Sequence, residues 1–235
     1  MIVLIIALSA LSFMLSASVG LGGSLILVPA LSLFLGPKQG IALAAILLGC
    51  NNIAKTNAYR RTIPFRAVIW ILLLTIIGAA IGAKLLVAAP ESWVNYAIVV
   101  SIGATFLLEC SGRRKQKLRH ATGAALAFGA GATSGFSGTS GPLKGIALRN
   151  LELDRLHYVG AASVVSLAGD IMKAVMFTQA SLMSQTSWLI VLGALPLMPL
   201  AALAGRHLNS RIGERAYARV FWSVMMGYSI RLLLF

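Results

Sequence analysis

The sequence predicts an all-α integral membrane protein made of two inverted-topology repeats, on three observations. Of its 235 residues, 58% are hydrophobic and 11% charged, and a mean hydropathy of +0.87 is too apolar for a water-soluble domain of this length. Runs such as 67–86 and 187–204 stay apolar for about the length of a spanning helix, whereas a membrane barrel would show shorter segments of alternating polarity. Polar and glycine landmarks also recur in the same order in the two halves.

Apolar segments fall at 2–35, 40–59, 64–89, 92–110, 121–149, 156–179, 186–206 and 214–235. They divide into two sets of four: an N-terminal membrane repeat, 1–110, and a C-terminal one, 121–235. Between them lies a basic linker, 111–120, containing Arg113, Arg114, Lys115, Lys117 and Arg119. The opening stretch, Met1 to Ala17, lacks the basic start of a signal peptide and reads as mature structure. Laid on each other, Gly20 to Ser24 meet Gly135 to Thr139, Asn52 and Lys55 meet Asp170 and Lys173, and Gly82, Lys84 and Glu91 meet Gly205, His207 and Glu214.

Orientation follows from basic residues in short loops. The loops holding Arg60, Arg61 and Arg66, the linker, and the stretch with Arg206, Arg211 and Arg215 are expected in the cytoplasm. Loops 88–92 and 178–186 carry no Lys or Arg and are expected outside. Corresponding loops of the halves thus fall on opposite faces, which is the inversion. The first segment of each half must then enter and leave on one face. Each is predicted to be a broken or re-entrant helical hairpin, turning at the glycines around 20–23 and 135–141. Lys38 is the exception to the charge pattern.

The net charge of +14 sits mostly between apolar runs, where lipid headgroups and topology account for it. No aromatic platform accompanies it, so nucleic acid is not an expected partner. Cys50 and Cys110 read as small apolar fillers, and no residue pattern calls for a metal or a cofactor. Trp70, Trp93, Trp188 and Trp222 fall near segment ends, as an interfacial belt does. Pro196 and Pro199 should kink the seventh segment.

Non-helical backbone at membrane depth must be enclosed by protein or line a cavity. The two glycine tips are therefore expected inside, each followed by a half-helix whose unpaired N–H groups and positive dipole end suit an anion. The candidate residues there are Gly20, Gly22, Gly23 and Ser24 in one half and Gly135, Ser137, Gly138, Thr139 and Ser140 in the other. Small-residue packing between helices is the competing account of these glycines. Lys55 and Lys173 each follow a polar residue by three positions, Asn52 and Asp170, on one helical face. Turned inward they would add positive charge to the same cavity, although Lys55 could instead snorkel to the surface near Arg60. Asp170, the acid deepest in an apolar run, is the candidate for proton coupling or gating, against the alternative of a structural ion pair with Lys173. Asn51, Asn52 and Asn57 could bond a ligand's oxygens or tie helices together.

The stretch Val19-Gly20-Leu21-Gly22-Gly23-Ser24, continuing to Leu31, resembles the glycine-rich signature that opens the sulfite exporter TauE/SafE family. Gly135-Phe136-Ser137-Gly138-Thr139-Ser140-Gly141-Pro142 is similar to its second-half counterpart, and the resemblance covers essentially the whole chain. Leu21 interrupts what is often a longer glycine run. The resemblance implies a transporter in the cell inner membrane that moves sulfite, an organosulfonate or another small sulfur-containing anion, driven by protons. A homodimer is compatible with it. The residues themselves point to an anion and, with inverted repeats, to alternating access. A passive anion channel shares these features apart from coupling. An enzyme is not expected: Gly135-Phe136-Ser137-Gly138 imitates a serine-protease motif, but His120, His157 and His207 fall in loops or at segment ends.

Overall fold

The computed structural model describes residues 2–19, 23–110 and 120–200, and among them it is helical with no strand. Residues 111–119, the end of the seventh predicted segment and all of the eighth lie outside the described residues. Among the described residues the α-helices run in order as α1 (Ile2–Val19), α2 (Gly23–Leu35), α3 (Pro37–Ala58), α4 (Phe65–Ala88), α5 (Glu91–Cys110), α6 (His120–Ser137), α7 (Gly141–Arg149), α8 (Arg155–Gln179) and α9 (Gln185–Ala194). Helices α1 to α8, singly or in pairs, coincide with the first six predicted apolar segments to within a few residues, whereas α9 covers only the first half of the seventh.

Local chemistry sets the boundaries. Gly36, at φ +83°, ends α2, and Pro37 opens α3, where its missing N–H has no partner to lose. Asp154 caps α8 by accepting from the His157 amide at 2.9 Å, and Ser184 caps α9 through the Ser187 amide at 3.2 Å. Segment 121–149 is broken into α6 and α7 at residues 138–140, with Gly138 at φ +75°. The break is shorter than the glycine spacing suggests, and Gly135 lies within helix α6. The first segment is likewise two helices, α1 and α2, tied where they meet by the Ser12 hydroxyl donating to the Gly23 carbonyl at 3.0 Å. In the seventh segment α9 stops at Ala194 and a turn occupies Leu195 and Pro196, as the prolines predict.

Helices α4 and α8 are long and apolar enough to cross a membrane. Along α4 the side chains sort by face. Val68, Ile71, Thr75, Gly78, Ala79, Gly82, Ala83 and Leu86 are buried, while Phe65, Ile69, Leu73, Ile77, Ile81 and Leu85 stand exposed at four-residue intervals. A face of large apolar side chains turned outward would be a liability in water and is ordinary against lipid. Trp70 and Trp93 are exposed as well, 71% and 67%, in keeping with interfacial positions.

One apolar core joins α1, α2, α3, α5 and α9 with the ends of α4 and α8 around Phe13, Leu27, Ile41, Leu86 and Phe177, and a smaller one joins α4, α6, α7 and α8 around Val68, Ala127, Leu148 and Val165. The tightest contact is between α4 and α6. Each carries two glycines four apart, Gly78 and Gly82 on α4, Gly131 and Gly135 on α6. A methyl group on Gly78 would overlap the Phe128 carbonyl oxygen, and one on Gly131 the Thr75 carbonyl oxygen; Gly82 and Gly135 meet the Ala132 and Ala79 carbonyls in the same way. Only glycine allows backbones to approach so closely. Lys38, the residue out of step with the charge pattern, has a local use: its Nζ donates to the Val87 carbonyl at 2.8 Å, at the negative end of α4.

Candidate functional site

The polar residues of α3 and α8 face each other in the interior. Gly49 leaves space on α3, so that a Cβ there would lie 3.6 Å from the Asp170 Cβ of α8. One turn along α3, Asn52 Nδ2 donates to Asp170 Oδ2 at 2.7 Å. Lys173 Nζ pairs with the other carboxylate oxygen, Oδ1, at 2.8 Å, and also donates to Ser134 Oγ of α6 at 2.9 Å. Asn52, Asp170 and Lys173 are 8%, 6% and 1% exposed. Burying both charges costs several kcal/mol per ion unless the pair is well made and its other polar atoms are satisfied. Here both oxygens are engaged, and the ammonium has a second acceptor.

Two further lysines stand near this pair. Lys55, half-buried one turn beyond Asn52 on α3, lies within electrostatic reach of Asp170 and of Lys144 on α7. Lys144, also half-buried, donates to Ser166 Oγ at 2.7 Å, and Ser166 is one turn before Asp170 on α8. Lys144 interacts electrostatically with Asp170 and with Lys173. Sequence reasoning missed Lys144, Ser134 and Ser166. A signal for the first was present, since Lys144 is the only charged residue between His120 and Arg149.

Among the described residues, the side-chain polar atoms of Ser32, Asn51, Thr56, Thr139 and Tyr158 are buried without a hydrogen-bond partner, and two of these residues stand near the site. Both ends of the Asn51 amide are unmatched although the residue is 0% exposed, and so is the Thr139 hydroxyl, also 0% exposed. A buried amide or hydroxyl left bare costs about 1–3 kcal/mol, so each is poised for a partner. Thr139 lies within the break between α6 and α7.

Asn52, Asp170 and Lys173 are thus in direct contact, with Lys55 beside them. The glycine tips separate into different roles. Gly20 and Gly22 lie outside the described residues; Gly23 is buried at the start of α2, and Ser24 is half-buried behind it. Gly135 contacts α4 through its backbone and does not line the break, which is the packing account of that glycine. Gly138 does line it: a side chain there would strike Val28 of α2 and Ile41 of α3. Ser137 Oγ donates to the Thr133 carbonyl at 2.9 Å and shares a hydrogen bond with Ser101 Oγ at 2.8 Å, neither of which is a base. His157 is held by Asp154 at the start of α8, 2.7 Å from its carboxylate. Ser140 precedes α7 without capping it through its side chain. Ser134 is one turn before the break, so Lys173 reaches from α8 to the base of that tip.

The arrangement sets ammonium and amide donors around one buried carboxylate. The family described as sulfite exporter TauE/SafE matches residues 4–232, nearly the whole chain. No curated protein and no solved structure matches it significantly.

Proposed function

The chain belongs to the sulfite exporter TauE/SafE family, a family of membrane transporters, and from that membership we propose that it is a proton-coupled secondary transporter of a small sulfur-containing anion. Sulfite, thiosulfate and organosulfonates are the candidate substrates, moved across the cell inner membrane by alternating access between two inverted repeats. The observation that carries this reading is the buried Asn52–Asp170–Lys173 contact with Lys55 and Lys144 beside it. A charge inside a membrane protein is costly to keep and commonly marks an ion pathway or a proton relay.

The chemistry of the pair supplies a coupling scheme. With Asp170 ionised, Lys173 is neutralised and has little charge to offer. A proton on Asp170 cancels that partner, and the Lys173 ammonium then attracts an anion, with Asn52 contributing an amide donor. Departure of the proton restores the ion pair and expels the anion. The broken segment at 138–140 brings the start of α7 toward the same region through Ser134 and Lys144.

The test is uptake of sulfite, thiosulfate and small sulfonates into liposomes carrying the purified protein, with and without an inward proton gradient. Saturable, gradient-driven flux that Lys55→Gln and Lys173→Gln abolish is the expected result. Flux that ignores the gradient would make the protein a passive channel, and flux unchanged by both substitutions would remove the lysines from the pathway.

A further inference from the structure

We propose that the hollow where α3 hands over to α4 binds an anionic phospholipid, its phosphate held by Arg60 and Arg61 and its acyl chains laid along the outward face of α4. The inference goes beyond the transporter reading and needs only that α4 lies in a bilayer. A hollow of about 460 Å³ opens here, lined by Asn57, Ala58, Tyr59, Arg60, Arg61 and Thr62. The lining supplies two guanidinium groups, an amide and a phenol, with no carboxylate among the described residues. A guanidinium presents its donors as a fork that matches two phosphate oxygens. Neither Arg60 nor Arg61 forms a hydrogen bond or an ion pair with another described residue, so these donors remain for a ligand. Helix α8 packs against the same turn at Gly160, where a methyl group would lie 3.1 Å from the Thr62 carbonyl oxygen. The acid at the start of that helix, Asp154, is committed to His157 through both carboxylate oxygens, at 2.9 Å to the amide and 2.7 Å to the ring.

The lining also decides between headgroups. A choline or ethanolamine headgroup brings a cation along with its phosphate, and that cation would meet two guanidinium groups and no acid. A glycerol headgroup brings the phosphate charge alone, with hydroxyls that the Asn57 amide and the Tyr59 phenol can bond. What makes the ligand a lipid, and not a free phosphate, is the surface that continues from the hollow. Thr62 in the lining is followed three residues later by Phe65, and Phe65, Ile69, Trp70, Leu73 and Ile77 all stand exposed on α4. From Phe65 to Ile77 the helix rises about 18 Å, a little more than the roughly 15 Å of hydrocarbon in one leaflet. A headgroup seated at Arg60 and Arg61 therefore leaves its chains against a continuous apolar row. Arg66, exposed one turn before Trp70, adds positive charge at the start of that row, and the Trp70 ring suits the depth where headgroup meets chain.

Trp70 provides the readout. The full chain is reconstituted in phosphatidylcholine vesicles that carry increasing fractions of phosphatidylglycerol, or of phosphatidylcholine, brominated in the acyl chains, and tryptophan quenching is followed. Subtracting the Trp70→Phe protein isolates the Trp70 signal. Brominated phosphatidylglycerol should quench it with a relative binding constant about tenfold that of brominated phosphatidylcholine, the worth of two screened arginine contacts. The double variant Arg60→Gln with Arg61→Gln should bring the two lipids to within about twofold of each other, while Arg60→Lys with Arg61→Lys, which keeps the charge, should retain most of the preference. Inorganic phosphate in the buffer should change none of these values. Equal quenching by the two lipids in the native protein, or a preference untouched by the glutamine variant, would overturn the inference. So would loss of the preference in inorganic phosphate, which would give the hollow to a soluble anion, or a Trp70 quenched by neither lipid, which would place a second copy of the chain over this face. All four results leave the transporter reading standing, since that reading is tested by anion flux.

Discussion

Removing Lys173 should destabilise the protein far more than removing both members of its ion pair. Lys173 is 1% exposed and Asp170 6%, and the 2.8 Å contact between them is the ammonium's only charged hydrogen-bonding partner among the described residues. Lys173→Met keeps the length of the side chain but leaves the buried Asp170 Oδ1 oxygen without its hydrogen-bonded cation. Breaking one side of a buried pair typically costs about 3–5 kcal/mol, because the surviving charge is uncompensated. For a chain of this size each kcal/mol moves the melting midpoint by about 2–4 °C, so a fall of roughly 6–20 °C is expected. Asp170→Asn should cost a similar amount, since it strands the ammonium. The double variant Asp170→Asn with Lys173→Met contains no buried charge at this position and should recover to within about 1–2 kcal/mol of the parent. Thermal unfolding of the purified protein in detergent, followed by tryptophan fluorescence, reads all three. A single variant that melts within about 2 °C of the parent, a shift worth about 1 kcal/mol or less, would refute the reasoning. So would a double variant whose loss equals the sum of the singles. Anion flux separates stability from function: the double variant should be folded and inactive.

Three further outcomes follow from the same geometry. Gly82→Ala and Gly131→Ala each drive a methyl group into a facing backbone carbonyl and should cost about 1–3 kcal/mol, whereas Gly103→Ala, with open space around it, should gain about 0.5–1 kcal/mol in the same melting assay. Asn51→Leu removes an unmatched buried amide, so the melting midpoint should hold or rise while anion flux falls; lower stability with unchanged flux would make Asn51 a structural tie. Single cysteines placed in the loop at Arg60 and in the loop at Ala180 should react with impermeant reagents from opposite sides of the membrane, and labelling from one side would end the inverted arrangement.

Much of the fold was legible because helices in a bilayer are bounded by simple signals. Pro37 and the acid at Asp154 mark helix starts, and the apolar runs mark their extents. The pairing of Asp170 with Lys173 was legible too, since a three-residue spacing places both on one helical face. What lay beyond the sequence was contact between elements distant along the chain. Asn52 and Asp170 were linked by their order in the two halves, but nothing local says that one bonds the other across 118 positions. Lys144 carries little signal of its own, since the segment around it is apolar and its acceptor, Ser166, is a hydroxyl of ordinary appearance 22 residues away. Gly135 looked like part of the turn because of the glycines that follow it. Its contact with α4 depends on Gly82 and Ala79, which period and composition alone do not pair with it.

The interlocked glycines of α4 and α6 bear on how such a molecule could move. One of these helices comes from residues 1–110 and the other from residues 121–235, yet their backbones mesh like the teeth of two racks, each carbonyl seated in the notch of a facing glycine. Sliding one rack along the other would drive carbonyl oxygens over Cα ridges, and prying them apart would forfeit the closest helix contact among the described residues. Rotation about their common line does neither. Were access to alternate between the two faces as proposed, α4 and α6 would serve as its axle, and the displacement would grow with distance from that line, being least at Thr75 and Gly131 and greatest in the helices farthest from them.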